Sequence, residues 1–289
     1  MEFENCIVKN VDMSSLTSFK IGGSALVIEP KDTEALRKAL KKLYLANEKF
    51  YVLGNGTNIL AADSALSRPV IKLGREMSEI EVNGKRLTVG AGALLSQAAS
   101  AALANSLTGL EFAHGIPGSV GGGVRMNAGA YGGELSDIVE KVEFVTKDGE
   151  LCEILGKEAQ FSYRHSVFAE NEGIITKVTF LLEKGNSAEI ADKMKLLSEK
   201  RREKQPLSYP SAGSTFKRPE GNFAGALIEE AGLKGRSVGG AAVSEMHAGF
   251  VINTGGATAR DVTELMEEVK RAVFEKSGVL LEAEVEIWK

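Results

Sequence analysis

The feature that most constrains this chain is the stretch GLEFAHGIPGSVGGGVRMNAGAYGG, residues 109–133, in which nine of 25 residues are glycine. Glycine gives up more backbone freedom on folding than any other residue, so such a run is not chosen for helix or strand stability. What it offers is access to φ > 0 and a backbone whose N–H groups can approach a ligand with no Cβ in the way. Successive N–H groups of this kind form concave anion sites, the usual means by which a loop holds a pyrophosphate. A loop of purely structural turns is the plainer alternative. Phe112, Ile116, Val120, Val124 and Met126 interleave with the glycines, so the stretch reads as packed and ordered, and as a ligand cradle.

Around this stretch the chain has a βαβ start and a β-rich middle. Its 289 residues leave room for two or three domains. LVIE, residues 26–29, reads as a strand stopped at Pro30. Residues 32–46 place Leu36, Leu40 and Leu43 on one helix face, with Asp32 or Thr33 as cap. FYVL follows as a buried strand, and strand–helix–strand favours parallel pairing. From about residue 70 short β segments take over, with hairpin turns at Asn83-Gly84 and Asp148-Gly149, and a helix over 94–107 precedes the glycine stretch. Residues 188–204 read as an exposed helix ending in a basic cluster, and QPLSYP (205–210) as a linker. Beyond it a helix over 223–235, a strand AGFVINTGG, a helix over 260–276 and a strand VLLEAEVEIW suffice for another compact α+β domain.

Several function classes are disfavoured. A net charge of −4 gives no reason to expect nucleic acid or an acidic membrane surface. Cys6 and Cys152 stand apart without metal-ligand spacing, and the three histidines lack EXXH or HXH company, so no metal is expected. No secretory leader and no membrane-length apolar run is read, so a soluble cytoplasmic protein is expected. There is no GxxxxGK[ST], and Leu95 stands where the third glycine of a dinucleotide fingerprint would follow Gly90 and Gly92. Two glycine segments remain, GNGTN at 54–58 and GIPGSVGG at 115–122. Together they would hold two ends of one long phosphorylated cofactor.

Three further residues carry chemistry. Arg164, between Tyr163 and His165, is either a surface ion-pair partner or a planar guanidinium holding a carboxylate or enolate oxygen. Ser214, between Gly213 and Thr215, is by itself a turn or cap serine; no GxSxG elbow surrounds it, so a hydrolase nucleophile is not indicated. Glu282, Glu284 and Glu286 fall at alternate positions, which in a strand puts them on one face, solvated or functional.

The conjunction of TSFKIGG, VLGNGTNIL, GIPGSVGG with MNAGAYGGE, YRHSVF, SAGSTFKRP and LEAEVEIW, in that order over nearly the whole chain, resembles the UDP-N-acetylenolpyruvoylglucosamine reductase (MurB) family of peptidoglycan synthesis. The resemblance implies an α+β fold: a two-part FAD-binding domain of the MurB and vanillyl-alcohol-oxidase-like (PCMH-type) kind at 1–72 and 73–197, then a C-terminal α+β substrate-binding domain at 198–289, whose final strand can return towards the FAD domain. It implies non-covalent FAD, NADPH as co-substrate and a UDP-linked enolpyruvyl sugar as substrate. Gly54, Asn55, Gly56, Thr57 and Asn58, with Gly115, Ile116, Pro117, Gly118, Ser119, Gly121 and Gly122, would surround the pyrophosphate and nearby parts of FAD.

The family's catalytic trio falls on Arg164, Ser214 and Glu284. Hydride goes to C3 of the enolpyruvyl group. Arg164, with Glu284, would stabilise the enediolate-like charge, and Ser214 would deliver a proton to C2. Lys204 aligns with a lysine near the substrate. The chain is short between Arg164 and Ser214, lacks the tyrosine-bearing insertion of one branch, and so resembles the other. Arg218 stands where the longer branch has asparagine and would take over a phosphate contact. A cytoplasmic monomer is expected. The alternatives are a flavin oxidase of the same fold or a non-catalytic nucleotide-binding protein.

Overall fold

The computed structural model describes residues 2–170 and 173–289. The chain divides into two compact units. Unit 1 gathers the residues up to Lys9, Leu26–Asn55 and Arg68–Arg201; unit 2 gathers Asn10–Ala25, Gly56–Ser67 and Arg202–Lys289.

In unit 1 the helical face predicted at residues 36, 40 and 43 is the buried face of helix α1 (Thr33–Leu45), with Ala35 and Ala39 beside it. Asp32 caps the helix, its carboxylate accepting the Ala35 N–H at 2.7 Å. The parallel pairing holds with one change. Strand Val70–Lys72 lies between Ser24–Pro30 and Tyr51–Leu53 and pairs in parallel with both, Val70 standing opposite Val27 and Tyr51.

The β-rich middle forms one antiparallel sheet in the order Leu151–Leu155, Val139–Thr146, Gly173–Leu181, Arg86–Gly90, Ile80–Asn83. Asn83 pairs with Arg86, so the two-residue loop is Gly84-Lys85, and Gly84 takes the φ of +64° that a tight hairpin needs. Helix α2 (Leu95–Ala104) buries Leu95, Ala98, Ala99 and Ala102, and Gln97 reaches back to accept the Leu94 N–H at 2.8 Å.

The glycine stretch departs from its expected loop form. It contains a six-residue helix, α3 (Val120–Arg125), and a small hairpin of Gly129–Ala130 with Gly133–Glu134. Within residues 109–133 only Gly109 and Gly132 among the glycines have positive φ. Several of the others serve close approach: a Cβ on Gly121 would stand 2.8 Å from the Ala91 Cβ, and one on Gly123 3.0 Å from a Leu95 methyl. Helix propensity is overridden here because no larger residue fits against α2 and its leading turn. Helix α4 (Ser187–Lys204) buries Ile190 and Met194 and carries the chain into unit 2.

In unit 2 the antiparallel strands Ser237–Val238, Ala241–Val243 and Val251–Asn253 form a small sheet. Helix α5 (Ala224–Glu230) is shorter than expected from the sequence, ending before Gly232 and Gly235, both at positive φ. Helix α6 (Ala259–Ser277) buries Val262, Leu265, Met266, Val269 and Val273. Its N-terminus carries a Thr258–Asp261 capping box, and Asp63 accepts from the Ala259 and Arg260 N–H groups at 2.7 and 3.2 Å. The expected strand over 279–288 is a strand only at Glu286–Trp288, which pairs in parallel with Ile59–Ala61; the preceding residues meet the 215–217 segment instead, through a Phe216–Ala283 bridge.

Candidate functional site

In unit 1 the two glycine segments come together. Gly54 follows the C-terminal end of strand Tyr51–Leu53, the end at which parallel sheets present ligand sites. A Cβ there would lie 2.1 Å from the Ser119 hydroxyl, so only glycine allows the approach. The Asn55 carboxamide donates to the Pro117 carbonyl. Ser119 caps α3, its hydroxyl accepting the Gly122 N–H at 3.3 Å. Gly118 accepts from Leu95 N–H at 3.0 Å, and the Val120 and Gly121 N–H groups donate to Ala93 and Ala91 at 2.8 and 3.0 Å. Asn55, Pro117 and Gly122 are exposed, Gly54, Gly115, Ile116 and Gly118 half-buried, and Ser119 and Gly121 buried.

This arrangement fits a phosphate-bearing cofactor in its chemistry. The side chains of segments 54–58 and 115–122 include no carboxylate, and their polar groups are hydroxyls and carboxamides. Arg201, at the end of unit 1, adds a cation: its Cδ stands 3.2 Å from where a Gly115 Cβ would be. Burial pulls its guanidinium below the usual arginine range, with the Tyr131 phenol opposing the shift. Arginine stays charged under such a shift. The helix over 188–204 is expected to be exposed, yet Arg201 in its basic cluster is half-buried.

Arg164 sits in a two-residue turn closed on both sides, Ser162 N–H to His165 carbonyl at 3.1 Å and His165 N–H to Ser162 carbonyl at 3.2 Å. Its φ is +55°, a left-handed conformation uncommon for a side-chain-bearing residue and costly by roughly 1 kcal/mol or more. The guanidinium lies 5.3 Å from the Tyr163 ring centroid.

In unit 2 the segments of Ser214 and Glu284 run side by side. Glu284 N–H donates to the Thr215 carbonyl at 2.8 Å and Lys217 N–H to the Glu282 carbonyl at 2.9 Å. Thr215 is buried, donating from its N–H to Gly249 and accepting from Val251 N–H at its hydroxyl, both at 2.9 Å. Ser214 and Glu284 are half-buried. The Asn58 carboxamide donates to the Glu284 carbonyl at 2.9 Å, and Glu286 N–H returns to the Asn58 carbonyl at the same distance. Gly56 is buried, accepting the Ser18 N–H at 3.0 Å, and Thr57 beside it is half-buried. Lys204 is exposed at the end of α4. Arg218 is exposed too, stacked 3.8 Å from the Phe223 ring centroid.

Of the three alternating glutamates, Glu282 is exposed while Glu284 and Glu286 are half-buried. Asn127, in MNAGAYGGE, was given no role by the sequence. It is 1% exposed and bonded to the Arg164 turn. The available signal was a carboxamide amid glycines, where an asparagine tolerates positive φ. Among the described residues no three His, Cys, Asp or Glu side chains form a metal-ligand group, and no helix is long and apolar enough to cross a membrane.

Comparison with known proteins adds to this geometry. Residues 205–288 match the family described as UDP-N-acetylenolpyruvoylglucosamine reductase, C-terminal domain, and residues 24–155 match an FAD binding domain. UDP-N-acetylenolpyruvoylglucosamine reductase of Caldanaerobacter subterraneus is 48% identical over 287 residues, covering 98% of this chain and 94% of that protein. The reductase of Clostridium novyi is 44% identical over 97% of this chain and 92% of its own length. Among solved structures, the UDP-N-acetylenolpyruvylglucosamine reductase (MurB) of Thermus caldophilus aligns with a TM-score of 0.86 at 37% identity, covering 98% of this chain and 100% of that one.

Proposed function

This chain belongs to the UDP-N-acetylenolpyruvoylglucosamine reductase family of FAD-dependent oxidoreductases, and from that premise we propose that it reduces UDP-N-acetylglucosamine enolpyruvate to UDP-N-acetylmuramate with NADPH as the electron source. Its α+β fold is that family's, an FAD-binding domain of the PCMH type followed by the C-terminal domain. The observation that carries the reading is the near-full-length similarity to proteins of that one name. The glycine segments joined at Gly54 and Ser119 support it as a place for the FAD pyrophosphate.

FAD, when held by these segments, would supply the hydride chemistry between NADPH and C3 of the enolpyruvyl group. The residues of the chain have the remaining tasks. Gly54, Asn55, Gly56, Thr57 and Asn58, with Gly115 to Ser119, Gly121 and Gly122, hold the cofactor. The Arg164 guanidinium, fixed by its turn, stabilises the negative charge that develops on the substrate carboxylate. Glu284 shares in that hydrogen bonding, and the Ser214 hydroxyl gives C2 its proton.

Lys204 and Arg218 contact the substrate, Arg218 at the diphosphate and held ready by its stack on Phe223. Arg218→Ala should raise the KM for the sugar about tenfold or more, the cost of a charge-assisted hydrogen bond; an unchanged KM would remove the assignment. For function we retain the division 1–72, 73–197 and 198–289, and propose a cytoplasmic monomer.

The test is an absorbance spectrum of purified protein followed anaerobically by NADPH and then by the sugar. Flavin bands that bleach with NADPH and return with the sugar meet the proposal. Bands that return only with oxygen point to an oxidase of the same fold, and a protein that never takes up FAD ends the reading.

A further inference from the structure

Asn127 directly follows α3 and the Met126 cap, buried to 1% exposure and held at φ +44°. Its carboxamide makes three hydrogen bonds: the amide donates to the Ser162 carbonyl and to Glu134 Oε1, each at 3.1 Å, and the oxygen accepts the Ser136 N–H at 2.9 Å. Ser162 is the residue that closes the Arg164 turn with His165. On the far side of that turn Ser166, 0% exposed, donates from its hydroxyl to the Arg125 carbonyl at 2.8 Å, and the Arg125 guanidinium donates to the Ala169 carbonyl at 3.3 Å. The C-terminal end of α3 thus grips the turn on both flanks. The opposite end of the same six-residue helix is capped by Ser119, against Gly54.

Resting on the function proposed above, we infer that Asn127 is the positioning residue for Arg164, with Ser166 as its counterpart on the other flank. A left-handed arginine in a two-residue turn persists only when its surroundings over-determine it. Asn127 and Ser166 supply that constraint without touching substrate. The carboxamide suits the task chemically. It offers two donors to two acceptors, where aspartate would offer none and would set a second carboxylate against Glu134. Because α3 is too short to flex between its capped ends, the Arg164 turn is held in register with the segment proposed to hold FAD.

The test compares wild type, Arg164→Ala, Asn127→Gly and the double variant as FAD-loaded full chains, with the two half-reactions followed separately by stopped flow. Glycine accepts the φ of residue 127, so the side chain is removed, carboxamide included, without straining the backbone. Reduction by NADPH should stay within about twofold, while reoxidation by the sugar slows about 10- to 100-fold, as expected when a buried amide is lost from a catalytic support. The double variant should be no slower than Arg164→Ala alone, since both changes remove one function. Amide exchange across residues 162–166 of cofactor-free protein should also speed up. Reoxidation at the wild-type rate, equal slowing of both half-reactions, or additive losses in the double variant would each overturn the inference. If Asn127→Gly does not fold, Ser166→Ala decides by the same selectivity. A wild-type protein that the sugar fails to reoxidise sinks the proposed function itself, whereas wild-type turnover with an unimpaired Asn127→Gly sinks only this inference.

Discussion

A serine hydroxyl is a weak acid, so Ser214 can serve as a proton donor only if its position is held closely. Its neighbour Thr215 is pinned through N–H, carbonyl and hydroxyl to Gly249, Glu284 and Val251. Ser214→Ala should therefore leave flavin reduction by NADPH intact and slow reoxidation by the sugar by about 10²-fold or more. Equal slowing of both half-reactions in stopped flow would remove Ser214 from this role. Glu111 presents the opposite case, a carboxylate 3% exposed and used for structure. Burial alone would raise its pKa, but hydrogen bonds from the Thr108 hydroxyl at 2.5 Å and the Gly109 N–H at 3.1 Å, with Lys193 nearby, hold it below the ordinary 4.5. A depressed folded-state pKa means stability that is present above about pH 4.5 and lost as pH falls through the folded value. Glu111→Gln should cost about 1–3 kcal/mol at pH 7, a gap that closes as the pH drops below 4.5 in urea titrations. A gap independent of pH would show that the charge contributes nothing.

At the scale of elements, legibility followed the strength of the local pattern. Helices α1 and α6 were readable because their apolar positions recur at helical spacing and each begins with a side-chain cap. Helix α3 was not, because three consecutive glycines argue against a helix and the reason for two of them, Gly121 and Gly123, lies in Ala91 and Leu95, on other segments. Gly121→Ala tests that reason. On propensity alone alanine should stabilise α3 by up to about 1 kcal/mol, but its Cβ would stand 2.8 Å from the Ala91 Cβ, and overpacking costs about 1–3 kcal/mol. We expect a net loss of stability in thermal unfolding of the cofactor-free protein; a gain would mean that the approach has slack. The C-terminal segment failed for a related reason. Alternating glutamates promised a long strand, but only Glu286–Trp288 finds a strand partner, in Ile59–Ala61. The residues before it are bound one by one to Thr215, Phe216 and Lys217.

At the scale of the whole molecule, each unit is assembled from three separate pieces of chain, and the crossing between Asn55 and Gly56 falls inside GNGTN. No shift in composition marks that point. The sequence by itself determined the family, the α+β class and the cofactor class. These are written in short motifs whose residue types follow from the chemistry they perform, and a motif is local. Only the tertiary structure decided which segments share a core, that most of the glycines in 109–133 serve close packing rather than positive φ, and that Asn127 and Ser166 hold the Arg164 turn. Those facts depend on pairings between residues far apart in sequence, where a missing Cβ or a carboxamide acquires its meaning from whatever the fold brings opposite it.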